Sequence, residues 1–170
     1  LSATASAELH KKLRSTNPNV KKLVENVEFH PSLSEHLVQF QNMWADKFVS
    51  LNAAEFGSPS SRPRQYMADF VNLTRLRPMK HLSPNALLSR HRHCDRQVMR
   101  CIVASEQTRH PPQVYDTLRG QRSCLTINEA EHMQGWPTDI SRGDPNVCKQ
   151  STTQRLQHIG NALNSHQCYH

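Results

Sequence analysis

The chain changes hydrophobic period from block to block. From Thr4 to Ser15, Ala5, Leu9 and Leu13 fall on one side of a helix, with Lys11, Lys12 and Arg14 on the other. Asn17-Pro18-Asn19 breaks it, because proline has no backbone donor and pushes its predecessor out of helical geometry. Val20 to Val27 reads as a short strand, with Leu23 and Val24 buried and Glu25-Asn26-Val27 at its end. A carboxylate ending a buried strand costs free energy unless it has a partner or a task. On three residues alone, a strand-end carboxylate facing water fits equally. Ser32 to Asp46 returns to helical spacing through Leu33, Leu37, Phe40 and Trp44, assigned to the core, with Ser32 or Ser34 as the cap. This helix is expected to link two parallel strands as a right-handed βαβ crossover.

Phe48, Val49 and Leu51 lead like a strand into a Gly57-Ser58-Pro59 turn, and Tyr66 to Phe70 reads as a second strand. Between them stand Arg62 and Arg64. Residues two apart in an extended segment share a face, so both arginines are expected to project together, with Pro63 stiffening the backbone. Paired guanidiniums suit phosphate or a base edge. A surface turn with two solvated arginines has the same pattern.

The next stretch, Val71 to Gly120, is irregular, with Val98–Val103 the best strand. Asn72–Arg75, His91–His93 and Arg109–Pro112 read as loops. Thr126 followed by Glu129 is a capping box, and Gly135 and Pro137 close the helix it opens. Ser151 to His166 reads as the last helix, with Leu156, Ile159 and Leu163 on one face and Gly160-Asn161 inside it.

Composition narrows the class. The chain has 170 residues, enough for one domain or a large part of one. Hydrophobic content is 36% and mean hydropathy −0.71, low for an independent globule. Ten prolines and five glycines argue against a continuous helical bundle. No apolar run approaches the roughly 18 residues of a transmembrane helix. The start, Leu1-Ser2-Ala3, lacks both a Met and a signal-peptide pattern, and reads as cut from something longer. Five scattered cysteines suit a reducing compartment. The spacing of His91, His93, Cys94 and Cys101 matches no common zinc finger, so no metal is expected.

Charge is concentrated. Residues 62–122 hold twelve Lys/Arg against four Asp/Glu, a net +8, while the remainder carries −1. Arginine dominates that stretch, which favours phosphate contact. A basic surface without a partner remains the plainer alternative.

Four motifs then resemble the DNA cytosine-5 methyltransferases, in that family's order. The strand ending in Glu25-Asn26-Val27 resembles motif VI. Asn52-Ala53, Phe56-Gly57, Pro59 and Arg62-Pro63-Arg64 resemble motif VIII. Arg122 through Leu125-Thr126, Glu129 and Gln134-Gly135-Trp136-Pro137 resembles motif IX, and Ile159-Gly160-Asn161-Ala162 resembles motif X. The match covers about residues 20–167.

The resemblance implies an α/β fold, the second part of a doubly wound Rossmann-like sheet with a small irregular target-recognition lobe. Residues 1–70 would belong to the core, 71–121 to the basic recognition segment, and 122–170 would return to the core. Glu25 would contact N3 of a cytosine swung out of the duplex, making C6 open to attack by a cysteine thiolate. Methyl transfer to C5 and loss of the C5 proton would follow. Arg64 would contact the cytosine O2 and steady Glu25, with Arg62 the weaker candidate for that role. Where the family carries Gln two positions before the first Arg, this chain has Ser60. Asn161, with Gly160 and Ala162, would border the S-adenosyl-L-methionine pocket. Arg90, Arg92, Arg96 and Arg100 would contact phosphates of double-stranded DNA.

Two family motifs are absent: the Phe-x-Gly-x-Gly cofactor loop and the Pro-Cys nucleophile. None of Cys94, Cys101, Cys124, Cys148 or Cys168 follows a proline. The chain is therefore expected to be inactive alone and to need a missing half, in the same longer chain or in a second subunit. Two other readings stand beside this one. One is a non-catalytic DNA-binding or regulatory module. The other, ranked last, is a tRNA methylase, since the Cys-Phe-Thr run of that branch is not seen. A nuclear location is expected in a eukaryote and a cytoplasmic one otherwise.

Overall fold

The computed structural model describes residues 2–102, 113–142 and 150–162. These form two compact units. The first comprises residues 1–51 and 63–76, and the second residues 52–62 and 77–170.

In the first unit, α1 (Ala3–Thr16) starts where the Ser2 side chain accepts from the Ala5 N–H at 3.2 Å. It stops at Asn17, as the Asn-Pro-Asn break requires. β1 (Leu23–Val27) is shorter than the expected strand. α2 (Ser34–Trp44) ends on Ala45 in the left-handed conformation, φ 52°. Neither Ser32 nor Ser34 caps it; the residue at the cap is Leu33, and His30 instead receives the Ser32 N–H. β2 (Val49–Asn52) and β3 (Pro63–Ala68) complete a three-stranded sheet in the order β1-β3-β2. β1 and β2 flank β3, so the α2 connection crosses over a strand that is antiparallel to β1.

The helical stripe of α2 is an aromatic cluster rather than a buried core. Phe40 lies 5.8 Å from Phe29, 6.5 Å from Trp44 and 5.4 Å from Phe48, ring centre to ring centre. No residue of α2 is buried, and Leu33 is exposed. Leu23 is exposed as well, against expectation. The polar Lys22 is buried in its place. Its Nζ donates to the Trp44 carbonyl at 3.1 Å and pairs with Asp46 at 3.2 Å. Its backbone N–H donates to Asp69 at 2.8 Å. That bond, with Arg14 and Lys22 nearby, outweighs desolvation and holds the Asp69 carboxyl below its usual range.

The second unit has the tighter core. Cys94, Met99, Ile102, Val114, Ala130, Met133 and Ile159 pack together, with Leu87, Leu88, Leu125, Ile127 and Leu156 at the edge. Each fully buried aliphatic side chain here stabilises by roughly 1.5–3 kcal/mol. A second antiparallel sheet, β4 (Arg92–His93), β5 (Gln113–Asp116) and β6 (Gln121–Cys124), covers part of it. The expected strand at Val98–Val103 is not formed over its described residues: Met99 makes one isolated bridge to Ser60. Val103 and the expected Arg109–Pro112 loop lie outside the described residues.

The capping box forms as read. Thr126 Oγ1 accepts from the Glu129 N–H at 3.2 Å, and Glu129 Oε2 from the Thr126 N–H at 2.8 Å, opening α3 (Ile127–Met133). Gly135 takes φ +75°, the left-handed turn that ends the helix. α4 (Thr152–Asn161) carries Gly160 in its last turn; Leu163, Cys148 and Cys168 lie outside the described residues. None of the helices among the described residues is long and apolar enough to cross a membrane.

Candidate functional site

Strand pairing brings Glu25 and Arg64 together. In the β1–β3 register Glu25 faces Tyr66 and Val27 faces Arg64, so Glu25 and Arg64 are diagonal neighbours. Arg64 Nε lies 3.0 Å from Glu25 Oε1. The approach is close but misaligned: Glu25 Oε1 is buried and accepts no aligned hydrogen bond among the described residues. Arg64 is held by the backbone of the preceding residue instead, Nη1 donating to the Pro63 carbonyl at 2.7 Å. The result is an anchored guanidinium beside a carboxylate with an open acceptor.

Arg62 is turned to a different use. It is 2% exposed and belongs to the second unit. Nη1 donates to the carbonyls of Gly160 at 3.1 Å and Ile102 at 3.4 Å, and Nη2 to that of Ala162 at 2.8 Å. A cation at the carbonyl end of α4 also meets the negative end of the helix dipole. The expectation that Arg62 and Arg64 present two guanidiniums together is therefore corrected. Among the described residues they share no partner, and Arg62 serves as a staple for the α4 terminus.

The loop carrying them is closed by Asn52. Its Oδ1 accepts from the N–H groups of Ala54 at 3.2 Å and Arg62 at 2.9 Å, while Nδ2 donates to Ser61 Oγ at 3.0 Å. Ser60 is buried, and its hydroxyl donates to the Met133 carbonyl at 3.3 Å.

At the end of α4, Gly160 is buried and Asn161 is exposed. The carbonyl before them, on Ile159, accepts from Gln134 Nε2 at 2.7 Å. Arg62 and Gln134 thus fix the backbone of this turn, while the Asn161 amide makes no hydrogen bond among the described residues. A cavity of about 190 Å³ lies close by, lined by Trp136, Ile140, Ser141, His158, Ile159 and Ala162. It falls below the roughly 300 Å³ at which pockets for drug-sized ligands begin.

Three of the four phosphate candidates, Arg90, Arg96 and Arg100, are exposed. Arg92 is not free, and its expected role is corrected. Its Nε lies 2.9 Å from Glu129 Oε1, Nη1 donates to Ser123 Oγ at 2.7 Å, and Nη2 to the Cys124 carbonyl. Glu129 also accepts from the Ser89 N–H at 3.2 Å and hydroxyl at 2.9 Å. Burial alone would raise the Glu129 pKa; the Thr126 and Ser89 donors and Arg92 together pull it below its usual value.

A second buried carboxylate, Glu131, accepts from the N–H groups of Asp139 at 2.7 Å and Ser141 at 2.8 Å and lies 3.3 Å from Arg155 Nη2. It anchors the turn after Pro137. Neither network is legible in the sequence beyond Glu129's place in the capping box.

No family model matches the chain, and no curated protein matches it. A solved structure does: the methyltransferase EhMeth of Entamoeba histolytica, with a TM-score of 0.65 at 16% identity, covering 97% of this chain. The fold is methyltransferase-like. The chain spans 65% of the length of that neighbour. Among the described residues, Glu25 Oε1 is one of several buried polar atoms without an aligned partner, and Asn161, Arg90, Arg96 and Arg100 are exposed.

Proposed function

We propose that this chain is the base-recognising part of a DNA cytosine-5 methyltransferase, working with a further segment or subunit that carries the nucleophile and the main cofactor loop. The observation that carries the reading is the Glu25–Arg64 pair, in which a buried carboxylate oxygen lies 3.0 Å from an anchored guanidinium with no aligned donor. A buried acceptor without an aligned donor is costly, and a ligand that donates to it relieves that cost. The protonated N3 edge of a flipped cytosine meets that need, with Glu25 holding the proton at N3. Arg64 supplies positive charge where O2 of the same base gains electron density.

S-adenosyl-L-methionine supplies the methyl group when bound. Of the residues here, Asn161 suits one wall of its site, through an exposed side-chain amide with no hydrogen bond among the described residues, on a backbone fixed by Arg62 and Gln134. The neighbouring 190 Å³ cavity is too small for the whole cofactor, which fits a site completed elsewhere. The three-stranded β1-β3-β2 sheet is likewise read as a portion of the larger doubly wound sheet.

The test is reconstitution. The chain is combined with a polypeptide bearing Pro-Cys and Phe-x-Gly-x-Gly, and methyl transfer to cytosine in duplex DNA is followed. Glu25→Gln is expected to lower turnover by at least about 100-fold, the scale of a lost acid–base group, while DNA binding is retained. Unchanged turnover in Glu25→Gln would sink the catalytic reading and leave a DNA-binding module. A pronounced preference for tRNA over duplex DNA in competition would move the substrate to RNA.

A further inference from the structure

The second sheet presents an outward row that the reading above does not use. Val114 is fully buried beneath β5, so Tyr115, its neighbour in the strand, points to the other face. Register places His93 of β4 on one side of Tyr115 and Arg122 of β6 on the other. The His93 and Tyr115 rings are 5.3 Å apart and inclined at 60°. Asp95 joins the ends of the row, 3.3 Å from His93 Nε2 and 3.0 Å from Arg122 Nη2. His93, Asp95 and Arg122 are all exposed.

The charge around this row is lopsided. Among the described residues from 89 to 124, Arg90, Arg96, Arg100, Arg119 and Arg122 are exposed, against Asp95 as the one exposed carboxylate. Asp116 and Glu129 are buried and engaged by Arg92.

We infer that the His93–Tyr115–Arg122 row is a stacking platform for an unpaired DNA base, with Arg122 receiving the adjoining phosphate. The inference rests on the nucleic-acid reading above and gives the recognition lobe a second contact, separate from Glu25. Three features support it. An aromatic ring on an outward sheet face accepts any base without regard to sequence. A guanidinium one strand away reaches the backbone of the same nucleotide. The surrounding excess of arginine complements a polyanion. Asp95 holds Arg122 and His93 in position while the face is empty, and competes with phosphate when DNA arrives.

The experiment is fluorescence anisotropy with the whole chain and three labelled probes: a single-stranded DNA oligonucleotide, the same strand with one abasic residue, and a fully paired duplex. Tyr115→Ala is expected to weaken binding of the intact strand by about 5- to 150-fold, the range for one base stacked on an aromatic ring. Tyr115→Phe is expected to bind as the parent, and the abasic strand to bind parent and Tyr115→Ala alike. Arg122→Gln is expected to weaken every probe and to lower the salt slope by about one. Asp95→Asn is expected to tighten binding. Thermal unfolding of each variant checks that the sheet survives, and exposed Arg122 keeps a test open if Tyr115→Ala does not fold.

Wild-type affinity in Arg122→Gln, and in Tyr115→Ala where that variant folds, would overturn the platform. If Arg96→Gln and Arg100→Gln weaken binding at the same time, DNA recognition by the lobe stands and only the platform falls. Binding of no DNA probe would overturn both readings. Tyr115-dependent binding of RNA strands but not DNA strands would overturn the assignment to DNA.

Discussion

Arg64–Glu25 and Arg92–Glu129 are the same chemical pair at the same range, 3.0 and 2.9 Å. They differ in their surroundings. Glu129 has its oxygens filled by three donors from Thr126 and Ser89 in addition to Arg92. Neither Arg92 Nε nor Arg64 Nε is aligned on its carboxylate, and Glu25 Oε1 has no other donor among the described residues. A buried carboxylate with a full set of donors is part of the frame, since removing it orphans every one of them. A half-buried carboxylate without aligned donors adds little to stability and is available to a ligand. Distance alone does not separate the two; the count of aligned donors does.

The comparison breaks first at Glu129. Glu129→Ala is expected to destabilise the second unit by about 3–5 kcal/mol, because Arg92 is left buried beside unfilled donors. The two tryptophans make this measurable, one in each unit. Denaturant unfolding of a Trp44→Phe background, followed at Trp136, reads the second unit. A loss below 1 kcal/mol would mean that the network is not structural.

Next comes Arg62→Ala, which removes the guanidinium from the Gly160 and Ala162 carbonyls and leaves that of Ile102 with the Cys101 thiol. It is expected to cost about 3 kcal/mol by the same readout, with Arg62→Lys recovering part of the loss.

Acid sharpens the contrast more gently. The Glu129 carboxyl sits below its ordinary value of 4.5 in the folded unit. Unfolded chains therefore take up its proton first as pH falls. Its contribution is intact above about pH 4.5 and drains away as pH drops through the lower folded value. Glu129→Gln is expected to flatten that part of the stability–pH curve at Trp136, and an unchanged slope would refute the assignment.

The smallest effect belongs to Glu25. Glu25→Gln is expected to change stability by less than about 1 kcal/mol, as for other partly exposed pairs, read at Trp44 in a Trp136→Phe background. A loss as large as that at Glu129 would make both carboxylates structural and erase the distinction.

Local features were legible in the sequence. The capping box at Thr126, the break after α1 and the strand ending at Val27 each depend on residues within a few positions of one another. Pairings across long intervals were not. Arg92 in an irregular basic run gives no hint that its partner is Glu129, and Arg62 gives none that it will meet Gly160 and Ala162. Both were read by residue type as surface phosphate or base ligands, and tertiary structure placed them inside. The β5–β6 hairpin was missed for another reason. Its strands have four residues each, too short for period-two alternation to stand out, and Val114 and Tyr115 sit in an irregular, basic stretch. The α2 stripe was read correctly as a face and wrongly as a core, because periodicity reports direction and not the depth of what it meets.

The Arg62 staple also bears on the order in which the second unit assembles. Its hydrogen bonds to Gly160 and Ala162 close loops of 98 and 100 residues. Closing a loop of that length carries its full entropic cost before the bond returns anything, whereas the α3 cap spans three residues. The cap is therefore available to an early nucleus, and the staple forms only after the chain has collapsed. An interaction absent from the transition state acts on the unfolding rate alone. On this account Arg62→Ala is expected to speed unfolding while leaving the folding rate unchanged, and a slowed folding arm of the denaturant chevron would overturn it.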